Sequence, residues 1–212
     1  MKVETGSISR WLWVAALCGI AACSNEQPDR TDSAGQDFLT EHWRRPLEPQ
    51  GAPPPEWSDR ERSLAPSDCG ACHPDQFADW STTVHARAMS PGLLGQFVDF
   101  SAEDRASQYS CLSCHAPSAE QAAGVQEYIR GVQQGKVPAW SDRTAAPLFA
   151  HGLACINCHY RGYTVYGPER KPELEPIPDD IRSQLPHGGW EIRPQFEDSR
   201  FCAACHQFEA GD

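Results

Sequence analysis

A mainly α, loop-rich fold is what this sequence predicts, and three observations carry that prediction. Four copies of one five-residue motif divide the C-terminal two thirds of the chain at near-equal intervals. Capping signals, Ser118 with Gln121 and Ser101 with Asp104, stand ahead of segments with helical character. Prolines and glycines, 18 and 16 of 212 residues, interrupt what lies between. With 40% hydrophobic residues, a large self-sufficient apolar core is out of reach, so something other than side chains must help to fold the chain.

The first segment reads as an address. Lys2 and Arg10 precede a largely apolar run from Trp11 to Ala22. This is too short for a membrane span of about 20 residues and suits the apolar region of an export signal. The sequence Ile20-Ala21-Ala22-Cys23 resembles a bacterial lipobox, so residues 1–22 are expected to be removed and Cys23 to be lipidated. An ordinary signal peptide cut nearby is the alternative. Ser24 after the cysteine, by resemblance to lipoprotein sorting, points to a periplasmic protein anchored to the outer membrane. Residues 23–67 are expected to be a Pro-rich tether, with seven prolines between Asn25 and Ser67, three of them consecutive at Pro53-Pro54-Pro55. Phe38 to Trp43 is the exception, a short helix that docks onto the domain of residues 68–212.

That domain is organised by Cys69-Gly70-Ala71-Cys72-His73, Cys111-Leu112-Ser113-Cys114-His115, Cys155-Ile156-Asn157-Cys158-His159 and Cys202-Ala203-Ala204-Cys205-His206. Each is C-x-x-C-H. Two thiols three positions apart fall on one side of a helical turn, spaced for thioethers to the two vinyl groups of a haem. The adjacent histidine then projects at the iron as the proximal ligand. The eight motif cysteines are therefore expected to hold four covalent haem c groups, with His73, His115, His159 and His206 as proximal ligands. A thioredoxin-type dithiol needs one C-x-x-C, and structural zinc sites do not require a histidine straight after each pair. Cys18 and Cys23 lie at the signal, which leaves the domain no thiol for a disulfide. The first cysteines, Cys69, Cys111, Cys155 and Cys202, are 42, 44 and 47 residues apart, a loose repeat in which each segment wraps one haem.

Four histidines remain as candidate sixth ligands. His85 is expected on a helix from Asp75 to Met89, with Phe77, Trp80, Val84 and Ala88 at helical spacing against porphyrin. His151 lies one turn before Cys155 and is expected to reach a neighbouring haem. His187, between Pro186 and Gly188-Gly189, is delivered by a loop. For His42, in the tether, a solvated residue and a ligand stand even, and a surface histidine is the bland alternative for the other three. Met89 is expected to pack rather than ligate. Paired histidines leave no place for substrate at the iron, which narrows function to electron transfer.

Further helices are expected from Ala102 to Leu112 and from Ala119 to about Gln134, stopping at Gly135, the latter with a core stripe of Ala122, Val125, Ile129 and Val132. A short strand is expected between Tyr160 and Tyr166. Arg87, Arg161, Arg193 and Arg200 are candidate partners of haem propionates, with solvated arginine as the default for each.

The pattern resembles the multihaem cytochromes c of the cytochrome c-554 family. The likeness is carried by Cys69 to His73 followed by Gln76-Phe77-Ala78-Asp79-Trp80 and His85-Ala86-Arg87-Ala88-Met89, by the His151 to His159 block, and by Phe201 to Phe208. The resemblance implies a multihaem cytochrome c fold around closely packed covalent haems, bis-histidine ligation of most irons and electron transfer outside the cytoplasm. Longer relatives are expected to continue toward a further haem motif, whereas six residues follow His206 here, so a short form and a truncated one are alternatives.

The expected function is an exported tetrahaem cytochrome carrying electrons between redox partners. With 18 basic against 29 acidic residues and a formal charge of −11, nucleic acid is excluded as the main partner and a protein with a basic docking patch is favoured. The only membrane contact expected is through the lipid anchor. The alternative is a multihaem oxidoreductase acting on a small nitrogen or sulfur compound at one haem with an open position. A third reading is a haem-bearing structural subunit. An electron-transfer protein fits better than an enzyme, because no altered motif and no acid–base cluster marks one site.

Overall fold

The computed structural model describes residues 33–101, 103–136, 146–172, 174–182 and 184–207. The export signal and Cys23 lie outside the described residues. As expected, the fold is mainly α: α1 (Ser33–His42), α2 (Pro66–Gly70), α3 (Pro74–Thr82), α4 (Pro91–Asp99), α5 (Arg105–His115), α6 (Ala119–Gln133), α7 (Cys155–His159), α8 (Asp179–Arg182) and α9 (Ser199–His206). Three helices open on proline, Pro66, Pro74 and Pro91, where the missing N–H has no helical partner to lose. The expected capping box of α6 is present, with Ser118 and Gln121 each bonding the other's backbone N–H.

The helix expected from Asp75 to Met89 ends early, at Thr82. Three consecutive hydroxyls explain it: Ser81, Thr82 and Thr83 donate to the carbonyls of Ala78, Asp79 and Trp80 at 2.8, 2.9 and 2.7 Å. Side chains thus compete for the carbonyls the helix would need, and Thr83 leaves it in extended conformation. His85 consequently sits on a separate 3-10 turn, His85–Arg87. The helix expected from Ala102 instead begins at Arg105, because Asp104 takes the cap position and its carboxylate accepts from both the N–H and the hydroxyl of Ser101.

The short strand expected between Tyr160 and Tyr166 is a hairpin. Its strands β1 (Tyr160–Arg161) and β2 (Thr164–Gly167) pair antiparallel, Tyr160 opposite Val165. Gly162 and Tyr163, at φ +58° and +59°, form the two-residue turn that matches strand twist. A third strand, β3 (Glu191–Ile192), pairs parallel to β2.

Apolar burial is divided between two small clusters. One joins α4, α5 and α6 through Met89, Leu94, Phe97, Leu112, Val125, Ile129 and Phe149; Met89 packs there as expected. The other gathers Trp57, Ala154, Ile156, Tyr160 and Tyr163 around α7 and the hairpin.

Within the stretch expected to be a tether, residues 23–32 lie outside the described residues, and the rest is packed onto the domain. Residues 34–212 form one unit, and Leu39, His42, Leu47, Gln50 and Trp57 are all buried in it. The Gln50 N–H donates to Glu120 on α6 at 2.7 Å, and the Tyr163 hydroxyl donates to the Arg62 carbonyl at 3.2 Å. Single apolar residues scattered among prolines bury against distant elements here, and no local period announces that. Leu47, 2% exposed, tests the point. Truncating it to Ala should cost the holoprotein about 2–5 kcal/mol in denaturant unfolding, whereas a tether residue would stay within about 0.5 kcal/mol.

Candidate haem-binding sites

Local helix geometry presents each motif. Cys69 and Cys72 straddle the end of α2, with the N–H groups of Cys72 and His73 bonded to the Cys69 carbonyl at 3.1 and 2.8 Å. The second motif forms the last turn of α5, the third is the whole of α7, and the fourth ends α9. In every case the two cysteines lie one turn apart with the histidine following, and all eight thiols are outside disulfides.

The motifs adjoin one another in an order unlike their order in the chain. Cys69 and Cys155 are hydrogen-bonded, which pushes the Cys69 thiol up and Cys155 down and joins the first motif to the third. Cys158 feels Cys205 and Cys202, although burial does most to raise it, to about 11. Cys205 is in turn bonded to Cys114 and is also raised to about 11, chiefly by burial. The spatial sequence is first, third, fourth, second.

Two of the four expected distal histidines face motif histidines. The His187 ring lies opposite that of His73, ring centres 6.4 Å apart and 25° between planes. His85 lies 6.0 Å from His206 at 55°. A metal held by two imidazoles at bonds of about 2 Å, with about 1 Å from each nitrogen to its ring centre, separates the centres by about 6 Å. Both pairs fit that span.

Hydrogen bonds select the ring nitrogens. The Nδ1–H groups of His115, His159 and His187 donate to the carbonyls of Ala88, Tyr166 and Gly189 at 2.6, 2.8 and 2.8 Å. Each bond leaves Nε2 as the basic nitrogen, the arrangement that orients metal-ligating histidines. His42 and His151 differ: Nε2 points to the Cys158 carbonyl at 2.8 Å in the first and to the Ala146 carbonyl at 3.2 Å in the second. His42 is 3% exposed rather than solvated. Its ring packs with Phe38, Trp43, Tyr166 and Phe201 beside the third motif. Burial, followed by the Arg161 charge, lowers its pKa to about 3. His151 is also buried, with its ring against Trp80 at 6.3 Å.

Of the arginines singled out as propionate partners, Arg193 and Arg200 pair with Glu191 and Asp198 at 2.6 and 2.5 Å, and Arg87 donates to the Thr82 carbonyl. Arg161 bonds the His42 carbonyl at 2.8 Å and lies over Trp43.

Residues 68–136 match the family model described as cytochrome c554 and c-prime. Over that stretch the chain is a c-type cytochrome of this family. No curated protein and no solved structure matches it. Its cofactor is covalently bound haem c and its work is electron transfer. The matched stretch holds the first two motifs and His85; the other two motifs lie beyond it. The residues present fit the group. A cavity of about 230 Å³ opens beside His42 and Arg161, and His42 Nδ1 and Arg161 Nη2 are buried without a hydrogen-bond partner among the described residues. A haem propionate would accept from Arg161 Nη2, and a haem iron would take the lone pair that the Nε2–H bond leaves on His42 Nδ1.

Sequence reasoning missed the residues that hold these groups from a distance. Glu61 accepts the His187 N–H at 2.9 Å and the Ser58 N–H at 2.8 Å. The Ser58 and His187 hydrogen bonds hold its carboxyl at about 2. Gln121 and Asn157, both fully buried, bond each other at 2.9 Å. Gln121 Nε2 also donates to the Gly152 carbonyl at 2.6 Å, which ties α6 to the third motif.

The His85 turn depends on a glycine. Gly152 has φ +62°, and a Cβ there would lie 2.5 Å from the His85 carbonyl and 2.7 Å from the Ala88 nitrogen. Gly152→Ala should destabilise the holoprotein by about 1–3 kcal/mol and displace His85. Thermal unfolding with electron paramagnetic resonance of the same sample reads both effects.

Proposed function

We propose that this cytochrome is an exported, lipid-anchored tetrahaem electron carrier that passes single electrons between redox partners outside the cytoplasm. The observation that carries this reading is the facing of His73 by His187 and of His206 by His85 at spans that suit one iron each. An iron held on both sides by imidazole offers no position to a substrate, and what remains for it is exchange of electrons.

Haem c supplies the one-electron chemistry when bound. The chain's own residues attach, orient and shield it. The motif cysteines anchor it, and His73, His115, His159 and His206 are the proximal ligands. His187 and His85 are the distal ligands for the first and fourth motifs. His42 is assigned to the third motif, which it adjoins. His151 is assigned to the second, because Gly152 after it and His115 both approach Ala88. The contiguity of the motifs supports a continuous route with the first and second at its ends. Export rests on residues 1–22, and the anchor on Cys23.

Electron transfer to a basic partner should slow as salt rises, because the net charge of −11 steers encounter over distances of about 10 Å that salt screens. Stopped-flow rates at several ionic strengths check it, and salt-independent rates count against such a partner.

A second reading, an oxidoreductase acting at one open iron, has its place at the second or the third motif, since His151 and His42 both direct Nε2 at a backbone carbonyl. Intact mass and magnetic resonance of the matured protein separate the two. The carrier reading predicts four haems per chain, all low-spin at rest, with one becoming high-spin in each of His187→Ala, His85→Ala and His151→Ala. A resting high-spin signal that binds cyanide rapidly and is unmoved by His151→Ala or by His42→Ala supports the oxidoreductase instead.

A further inference from the structure

Arg45 lies between α1 and α2, in the stretch that the sequence presents as a tether, and its guanidinium is shared between two motifs. Nη1 donates to the Ser113 hydroxyl at 3.0 Å and to Cys114 Sγ at 3.4 Å. Nη2 donates to the Ala204 carbonyl at 2.5 Å and to Cys205 Sγ at 3.1 Å. All four contacts are therefore to residues inside the second and fourth motifs, and two of them are to the sulfurs that form thioethers. The planar fork of arginine suits this bridging, since its two terminal nitrogens diverge from one rigid group.

Like Arg87 and Arg161, Arg45 meets backbone and neutral groups rather than a carboxylate, whereas other arginines are paired. Arg44 pairs with Glu41 and Glu48, Arg62 with Asp59, Arg193 with Glu191 and Arg200 with Asp198. Among the described residues no carboxylate pairs with Arg45. In a chain of net charge −11, an unneutralised cation has been placed against two attachment sites at once.

Reduction adds one electron, so a nearby fixed cation favours the reduced form and raises the potential, more strongly where protein replaces water. We infer that Arg45 is a positioning residue shared by the second and fourth motifs, and that its charge raises the reduction potentials of both groups attached there together. The inference rests on the haem reading above, and its own content is a selective electrostatic effect on two of four centres.

The test uses the matured holoprotein in four forms: wild type, Arg45→Lys, Arg45→Gln and Ser113→Asp. Intact mass first establishes the haem count of each. A wild type without haem overturns the functional reading, whereas potentials measured on loaded protein judge the inference. In a spectroscopic redox titration, Arg45→Gln should move two of the four midpoint potentials negative and leave two in place. Arg45→Lys, which keeps the charge, should fall between Gln and wild type. Ser113→Asp, which sets a carboxylate against the guanidinium, should move the same two potentials in the same direction, and it carries the test if Arg45→Gln does not mature. Four unchanged potentials, a uniform shift of all four, or a Lys variant shifted as far as Gln would each overturn the inference and leave Arg45 a structural clamp.

Discussion

Attachment of haem through two cysteines and one histidine is the constraint from which the rest of this architecture follows. A C-x-x-C-H motif needs one helical turn so that both sulfurs fall on one side, and the chain provides that turn in four separate helices. Histidines from remote segments also approach two of the motif histidines. A loop at residue 187 reaches back to the first motif, and a 3-10 turn at residue 85 reaches forward to the fourth.

The apolar side chains alone do not explain a stable domain. They form two limited clusters, one among α4, α5 and α6 and one around α7 and the hairpin. Between the motifs the interior is made of imidazoles, aromatic rings and buried polar groups, including His42 Nδ1 and Arg161 Nη2, which have no hydrogen-bond partner among the described residues. Unpaired buried polar atoms and thinly distributed apolar surface are costly in a chain that folds on its own. Porphyrins change that balance by offering large apolar faces and charged propionates.

What could be read from the sequence was local. The motifs, the capping box of Ser118 with Gln121 and the α6 stripe depend on neighbours within one or two turns, and periodicity exposes them. Helix ends were harder, because Ser81, Thr82 and Thr83 take carbonyls that the apolar pattern of Asp75 to Met89 assigned to the helix. Non-local partners were out of reach. Leu47, Trp57 and Gln50 look like tether residues until the elements that cover them are in place. Glu61 and Arg45 act on residues 126, 68 and 159 positions away. The pairing of His187 with the first motif and His85 with the fourth follows from the fold, since sequence spacing favours no such partners.

Dependence of folding on the cofactor is the point at which this account is most exposed. Circular dichroism of the same chain, produced once with haem attached and once without cytochrome maturation, measures it directly. The matured protein should show strong helical signal and cooperative unfolding, and the haem-free chain should lack both. A haem-free chain with native helical content and a cooperative thermal transition would contradict the account, because its side chains would then suffice to build the fold.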